Sequence, residues 1–93
     1  MLHTGQTTIP ASGRIALTTT RTPVYELTIQ NNDANNSFRV GDSTITVANA
    51  QGIVVAKSGT TIKFGPYTAL SLELSQIFIV GTNGGLVDFD FVK

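Results

Sequence analysis

Hydrophobic and polar residues alternate along much of the chain, most regularly over residues 24–30, VYELTIQ. Tyr25, Leu27 and Ile29 share one face of this segment, and Val24 falls on the other face with the polar residues. Because successive side chains of a β-strand point to opposite faces, the pattern predicts a half-buried strand. The polar residues 31–36 then predict a loop, since Asn and Asp bond readily to their own main chain.

The same alternation predicts a series of short strands and no helix of useful length. The expected strands cover residues 14–20, 24–30, 37–40, 43–47, 53–56, 60–64, 69–73, 77–80 and 86–92. Residues 70–77 also fit a helical spacing through Leu70, Leu74 and Ile77, but the segment is short, so a strand followed by a turn at residues 74–76 is favoured. Turn signals recur roughly every 8–12 residues, as they do in sandwiches and barrels. The sequence therefore predicts an all-β fold, a single small antiparallel β-sandwich of eight or nine short strands.

The first thirteen residues have a different character. Gly5, Pro10 and Gly13 interrupt the segment, and its only apolar-capable piece is residues 7–9. Proline cannot donate to a sheet ladder and is found at edges and strand ends. Residues 1–13 are thus predicted to form an extended N-terminal arm with at most one edge strand, and residues 14–93 to form the β-sandwich domain.

Two turns are chemically specified by their residues. Gly41 and Asp42 permit a bend between two predicted strands. Asn83, Gly84 and Gly85 lie between two apolar segments, and an Asn-Gly pair in that setting is a strong hairpin signal because both central residues need positive φ. A tight hairpin is therefore predicted between residues 77–80 and 86–92.

The apolar phases of the strands define an expected core. Its members share the face opposite the Thr, Lys, Glu and Asp residues: Tyr25, Leu27, Ile29, Phe38, Val40, Ile45, Ile62, Phe64, Ile77, Ile79, Val87, Phe89 and Phe91.

The composition excludes more classes of function than any motif does. The chain has 93 residues, a formal net charge of +0, no cysteine, and only 13% charged residues. A neutral surface does not attract nucleic acid or an anionic membrane, and no segment approaches the roughly 20 apolar residues of a membrane helix. A short chain without disulfides has a small core, so association with other chains is an expected source of stability.

Few residues offer chemistry. His3 is the only histidine and falls in the predicted arm, where a general base would not be held in place. Asp88 and Asp90 lie about 7 Å apart on one strand face, a pairing used by glycosidases, but Asp alternating with Phe is also ordinary for a solvated strand. Both residues are interpreted as surface carboxylates.

The sequence gives equally little support for a ligand-binding site. Asp33, Asn35 and Ser37 match the first ligand positions of a calcium loop, but Phe38 and Thr44 stand where the required Gly and Glu would be. The Gly-rich residues 81–85 lead into a strand, whereas a phosphate cradle needs a helix beyond it. For glycan stacking Tyr67 is the single candidate, since Tyr25 is on the inward phase. The chain is therefore expected to be no enzyme and to hold no cofactor and no metal.

Two segments carry a resemblance to a known family: FRVGDSTIT at residues 38–46, with the turn to Gly52, and LSQIFIVGTNG at residues 74–84. Over roughly residues 24–92, including the strand end Ile29-Gln30-Asn31, the chain resembles small β-sandwich virion proteins of tailed bacteriophages, in particular capsid decoration or cement proteins. The resemblance implies a jelly-roll-like sandwich that forms a homotrimer on the outer capsid surface and clamps neighbouring subunits of the major capsid protein.

That interpretation sets the expected partners and location. The partners are further copies of the chain and the major capsid protein, with no nucleic acid, no membrane and no small-molecule ligand. The protein would be made in the host cytoplasm without a signal peptide. The expected capsid contacts lie in the arm: Leu2, His3, Thr4, Gln6, Thr7, Thr8 and Ile9. The alternative is a phage head-fibre or tail-fibre module that binds host surface glycan.

Overall fold

A computed structural model describes all 93 residues, Met1–Lys93, and shows an all-β chain. Ten strands are present: β1 (Leu2–Thr8), β2 (Arg14–Ala16), β3 (Pro23–Val24), β4 (Glu26–Asn31), β5 (Phe38–Gly41), β6 (Ile53–Val55), β7 (Thr61–Phe64), β8 (Leu72–Glu73), β9 (Phe78–Gly81) and β10 (Leu86–Val92). A single 3₁₀ turn, Leu74–Gln76, lies where the sequence predicted a turn. The predicted all-β antiparallel class is confirmed.

The strands form two four-stranded sheets and one two-stranded ribbon, all antiparallel. The first sheet has the order β1-β10-β4-β7, the second has the order β2-β9-β5-β6, and β3 pairs with β8. The strands pair in order from the two ends of the chain towards its middle. The pairs are β1 with β10, β2 with β9, β4 with β7 and β5 with β6. The chain is therefore one long hairpin wound into two sheets.

The inner faces of both sheets share one hydrophobic cluster. The first sheet contributes Leu27, Ile29, Val87 and Phe89, and the second contributes Phe38, Val40, Val55 and Ile79. Ile9, Leu17, Val24 and Leu74 join this cluster from the connecting segments. Complete burial of such a side chain stabilises the fold by about 1.5–3 kcal/mol relative to exposure, so the cluster supplies much of the stability of this small domain.

Most of the expected core is found in place. The buried members are Leu27, Ile29, Phe38, Val40, Ile45, Ile79, Val87 and Phe89. The half-buried members, which pack against the cluster, are Ile62, Phe64, Ile77 and Phe91.

Tyr25 is the exception, because 37% of its surface is exposed. Val24 ends β3, which pairs with β8, whereas Glu26 begins β4, which pairs with β10. The chain changes its pairing strand at Tyr25, so the alternation of inward and outward side chains restarts there. Val24, which was expected on the polar face, is therefore completely buried. The prediction of one continuous strand over residues 24–30 is wrong at this position.

The first residues are part of the first sheet and do not form an arm. β1 pairs with β10 over its full length, from Leu2 opposite Val92 to Thr8 opposite Leu86. The Met1 amino group also donates to the Lys93 carbonyl at 2.8 Å, and Ile9 is only 1% exposed. No boundary between an arm and a domain is seen at residue 14, and the edge strand that the prediction allowed is present as β1, whose main chain pairs with β10 of the same molecule.

Residues 43–47 do not form the predicted strand. The Asp42 carboxylate accepts from the backbone N–H and the hydroxyl of Thr44. Asn49 accepts from the Thr46 N–H and donates to the Thr44 carbonyl. Such side-chain bonds compete with a sheet ladder for the backbone groups, so the segment becomes a loop, and Gly41 and Asp42 mark its start. The predicted strand at residues 69–73 is likewise reduced to Leu72–Glu73.

The predicted last hairpin is also wrong, because β9 and β10 belong to different sheets. Gly85 donates to the Thr82 carbonyl at 3.0 Å, so a tight turn is present. Its positive φ occurs at Gly84 (+87°) and not at Asn83. Positive φ at the second central residue alone is the pattern of a type II turn, which splays the flanking strands where a two-residue hairpin needs a type I′ or II′ turn. The turn instead directs the chain from the second sheet to the first.

Gly5 provides a first test of this architecture. A Cβ at this position would lie 2.5 Å from Cζ of Phe89, whose ring is buried. We expect Gly5→Ala to lower the free energy of unfolding by about 1–3 kcal/mol, the usual cost of overpacking. Urea denaturation checks this value, with Gln6→Ala as a control on the exposed face. Equal stability of Gly5→Ala and the parent chain would contradict the pairing of β1 with β10.

Candidate interaction surface

Residues 42–52, here called the covering loop, are held at the second sheet by two arginine side chains. Arg14 Nε donates to the Ile45 carbonyl at 2.9 Å and Nη2 donates to the Ser43 carbonyl at 2.8 Å. The same guanidinium stacks 4.1 Å from the ring centroid of Phe78. Arginine suits this position because its planar fork offers several donors and an aromatic-stacking face at once.

Arg39 repeats the arrangement at the other end of the covering loop. Its Nη1 donates to the Gln51 carbonyl at 2.6 Å, and its Nη2 donates to the carbonyls of Thr46 (2.9 Å) and Val47 (3.4 Å). Ile45 and Val80 are buried, although neither belongs to the cluster that the two sheets share. The arginine bonds thus hold the loop against the second sheet, and Ile45 lines the opening described next.

An apolar opening lies where β5 and β7 end and β6 begins. Its volume is about 430 Å³. The lining is apolar in its interior and polar at its rim: Val40, Gly41, Asp42, Thr44, Ile45, Gln51, Gly52, Ile53, Phe64, Leu72, Gln76 and Ile77. The covering loop forms one wall of this opening.

Large apolar side chains are exposed beside the opening and the loop. Val47 is 59% exposed, Ile53 is 51% exposed and Val54 is 63% exposed. Ile53 lines the opening, while Val54 lies opposite Arg39, which bonds to the Val47 carbonyl. Val47, Ile53 and Val54 are called the apolar surface below. Ile53 and Val54 are consecutive in β6 and therefore point to opposite faces of this edge strand, so a contact site that includes all three residues would wrap around the edge of the second sheet.

The residues considered for catalysis are placed as ordinary structural side chains. The His3 ring stacks on Phe91 with centroids 5.1 Å apart. Asp88 accepts from the Gln6 amide at 2.6 Å, and Asp90 is exposed on the same outer face of the first sheet. Both carboxylates line a depression of about 180 Å³ together with Thr28, Gln30, Thr61 and Phe89.

The segment compared with a calcium loop uses its carboxylate internally. Asp33 Oδ1 accepts from the N–H groups of Asn35 (2.8 Å) and Asn36 (3.3 Å). The Asn35 N–H contributes most to holding the pKa of Asp33 below its ordinary value, because it favours the charged form. No group of three or more His, Asp or Glu side chains is placed to hold a metal ion.

Asn31 is a structural residue that the sequence analysis assigned to a loop. It ends β4 and is completely buried. Its amide donates to the carbonyls of Val55 (3.0 Å) and Asn36 (2.9 Å) and accepts from the Asp33 N–H (2.9 Å). The sequence did contain one indication of this burial: Asn31 follows Ile29 by two residues and so falls on the same, buried face of the strand.

Glu73 organises the short ribbon of β3 and β8. Its Oε1 accepts from the N–H groups of Thr22 and Ser75 and from the Ser75 hydroxyl. Its Oε2 lies 3.5 Å from Arg21 Nε. Burial of the carboxylate opposes ionisation, but these donors and Arg21 outweigh it and hold the pKa of Glu73 below its ordinary value of 4.5.

The depressed pKa of Glu73 predicts a dependence of stability on acid. A carboxylate whose pKa falls on folding contributes stability above its unfolded pKa and loses that contribution as the pH falls through the folded value. The parent chain should be more stable than Glu73→Gln at neutral pH, and the difference should shrink as the pH falls below 4.5. Thermal melts of both proteins across this range measure the effect. A constant difference at all pH values would contradict this role for Glu73.

Two tyrosines lie together at the surface. Tyr67 is 43% exposed, and its N–H donates to the Tyr25 carbonyl at 2.9 Å. Tyr25 was assigned to the core, so the sequence analysis recognised only one of the pair. Aromatic side chains with exposed faces are the usual platforms for sugar rings, and both tyrosines are partly exposed.

The seven residues predicted to contact a capsid divide by face. Leu2, Thr4, Gln6 and Thr8 are exposed on the outer face of the first sheet. His3 and Thr7 are half-buried, and Ile9 is buried. The Ile9 side chain belongs to the core, and capsid contact by the exposed residues of this set stays a prediction.

Comparison with known proteins gives no relative: no family model, no curated protein and no solved structure matches the chain. None of its helical segments has the length and apolar character needed to cross a membrane.

Proposed function

We propose that this chain is a non-enzymatic structural protein of a bacteriophage virion, a decoration or cement protein of the outer capsid surface. The observation that carries the proposal is the apolar surface of Val47, Ile53 and Val54 on a chain with net charge +0. Apolar side chains exposed beside an apolar opening lower the free energy when another protein covers them. Weak charge also leaves little repulsion between copies.

The winding of the chain supports the same proposal. The strand orders of the two sheets are β1-β10-β4-β7 and β2-β9-β5-β6. These orders match those produced when one long hairpin is rolled into a jelly roll. Jelly rolls of eight strands are common among viral capsid domains. Jelly rolls also occur among lectins, so topology alone does not separate the virion role from glycan binding.

Assembly into a homotrimer is the second part of the proposal. Three copies would cover one another's apolar surface and occupy threefold positions of a capsid lattice, where they clamp subunits of the major capsid protein. Light scattering should give a mass close to three times 9.8 kDa. Val54→Asp should abolish the trimer because it places a charge in the covered surface, while Thr61→Asp, an exposed control on β7, should remain trimeric. A parent chain that is monomeric at high concentration would contradict the trimer.

Capsid binding is tested by co-sedimentation with purified phage heads that lack the protein. The parent chain should sediment with the heads to a saturating ratio. Removal of the first residues is unsuitable as a test, because it deletes β1 and the buried Ile9. Single outward substitutions such as Leu2→Asp should instead weaken binding if β1 faces the capsid. A parent chain that stays in the supernatant would contradict the proposal.

Surface carboxylates should be dispensable for this function. We expect the double variant Asp88→Asn with Asp90→Asn to assemble and bind heads as the parent does, because both side chains lie on a solvated strand face. Circular dichroism serves as the control for folding. Loss of binding or of any hydrolytic activity in a folded double variant would restore the paired-carboxylate hypothesis.

Glycan binding by a fibre module is the second candidate, and the adjacent exposed tyrosines favour it. Tyr67 and Tyr25 are both partly exposed and are joined by a main-chain hydrogen bond. If this candidate is correct, the chain should bind intact host cells or a glycan array, and Tyr67→Ala should abolish binding while Tyr67→Phe retains it. Equal binding by both variants would exclude a platform at Tyr67.

A further inference from the structure

β1 is an edge strand whose hydrogen bonds to β10 use only every second residue. Met1 and Lys93 bond to each other in both directions, and Ile9 donates to the Gly85 carbonyl at the other end of the ladder. In an antiparallel ladder the bonded pairs alternate with unbonded pairs. The odd-numbered residues of β1 therefore bond to β10, and the even-numbered residues direct their N–H and C=O groups away from it.

The free edge consists of Leu2, Thr4, Gln6 and Thr8. Their four N–H and four C=O groups have no other partner in the chain. The strand contains no charged residue, no proline and no bulge, which are the features that normally prevent edge pairing. β1 is thus a seven-residue template for another strand.

The other edges are shorter or protected. On β7 the pair of Asn31 with Thr60 fixes the alternation, so only Thr61 and Lys63 have outward groups, and Lys63 carries a charge. β2 has three residues and begins with Arg14. β6 also has only three residues. Among the four edges, β1 is the one that could form a long ladder.

We infer that β1 pairs with β1 of a second copy of this chain across a twofold axis. With Gly5 on the axis, Leu2 lies opposite Thr8 of the second copy and Thr4 lies opposite Gln6. This register places all four outward residues of each copy in bonded pairs, so every free group on both edges finds a partner. No charges oppose one another, because β1 has none.

The pairing joins the two first sheets into one sheet of eight strands. The contact is isologous and closes on itself, so it does not continue into a fibre. It uses a different edge from the apolar surface and does not depend on the proposed capsid role. If the chain also forms trimers, the same contact would link neighbouring trimers at twofold positions.

Disulfide trapping tests the register, and the chain suits it because it has no cysteine. Two single variants are prepared, Leu2→Cys and Thr8→Cys, both at exposed positions. In the proposed register each cysteine lies about 20 Å from its own counterpart, six residues along the strand, but opposite the other variant's cysteine. Mild oxidation should therefore cross-link a mixture of the two and neither variant alone. A cross-link in Leu2→Cys alone would indicate parallel pairing, and no cross-link in the mixture would indicate no β1 pairing; either result overturns the inference.

A second variant pair tests the edge without a cross-link. Thr4→Pro removes an N–H that β10 does not use, so the domain should fold, while the ladder between copies loses a donor and meets the proline ring. Thr4→Ala keeps the N–H. Sedimentation velocity should show loss of the paired species in Thr4→Pro and its retention in Thr4→Ala.

Two outcomes of these measurements overturn the inference. Equal association of Thr4→Pro and Thr4→Ala would show that copies associate by another surface. No association in the parent chain, together with loss of head binding in Thr4→Pro alone, would show that the edge receives a strand of the capsid protein. The first outcome leaves the proposed function intact, and the second supports it, so the two proposals can fail separately.

Discussion

Phe89→Ala should lower the free energy of unfolding by about 3–5 kcal/mol, because it removes the largest buried side chain of β10 and leaves a cavity. Phe89 is 6% exposed and lies between Gly5 of β1 and Ile29 of β4. Its ring also stacks near Phe91, with centroids 6.0 Å apart. The loss would be a large share of the stability of a domain this small.

Chemical denaturation measures this effect. Asp90→Ala is the matched control, since it removes the next side chain of the same strand on the outer face, and its effect should stay within about 0.5 kcal/mol. A soluble, cooperatively folded Phe89→Ala protein with the parent's melting temperature would show that the inward phase of β10 is wrong.

Asn31→Ala should be the second large effect, with a loss of about 3 kcal/mol. The substitution leaves the Val55 carbonyl without its buried donor and removes two further bonds to Asn36 and Asp33. A buried polar group left without a partner costs about 1–3 kcal/mol. The side chain also joins the loop after β4 to the end of β6, so the two sheets should separate more readily at this end.

The adjacent Asn32 provides the control for that measurement. Its side chain is exposed and makes no hydrogen bond, so Asn32→Ala should leave the free energy of unfolding nearly unchanged. Urea denaturation of both variants gives the comparison. A loss below about 1 kcal/mol in Asn31→Ala would mean that water replaces the amide without cost.

The strands that sequence analysis located best are those with regular alternation of strong apolar residues. β10 was predicted at residues 86–92 and is found there, and β5 and β7 differ from prediction by one residue. In these segments one face is buried and the other is wet, so periodicity carries the information directly. The inward residues Phe89 and Val40 followed from the same pattern.

The sequence did not predict which sheet each strand joins, because strand pairing decides this and hydrophobic periodicity does not report on pairing. β9 and β10 are adjacent in the chain and joined by a tight turn, yet each pairs with strands distant in sequence. At Tyr25 the change of partner reversed the inward phase without any proline or glycine to announce it. For that reason the sequence analysis assigned Tyr25 to the core and recognised only Tyr67 as exposed.

The length of β1 was not predicted from the sequence, because its inward residues are not apolar in the usual pattern. His3, Gly5 and Thr7 face the core side, and Gly5 is required by the approach of the Phe89 ring. The covering loop was misjudged for the opposite reason: its sequence alternates like a strand, but Asp42, Asn49 and the two arginines bond to its backbone groups.

The most direct test of the proposed role is the position of the chain on intact phage particles, measured by immunogold electron microscopy. A virion decoration protein should label the outer surface of the head over its whole area. Label confined to the tail or to fibres would contradict the capsid role and favour the glycan-binding alternative, and the absence of label on any particle would contradict both.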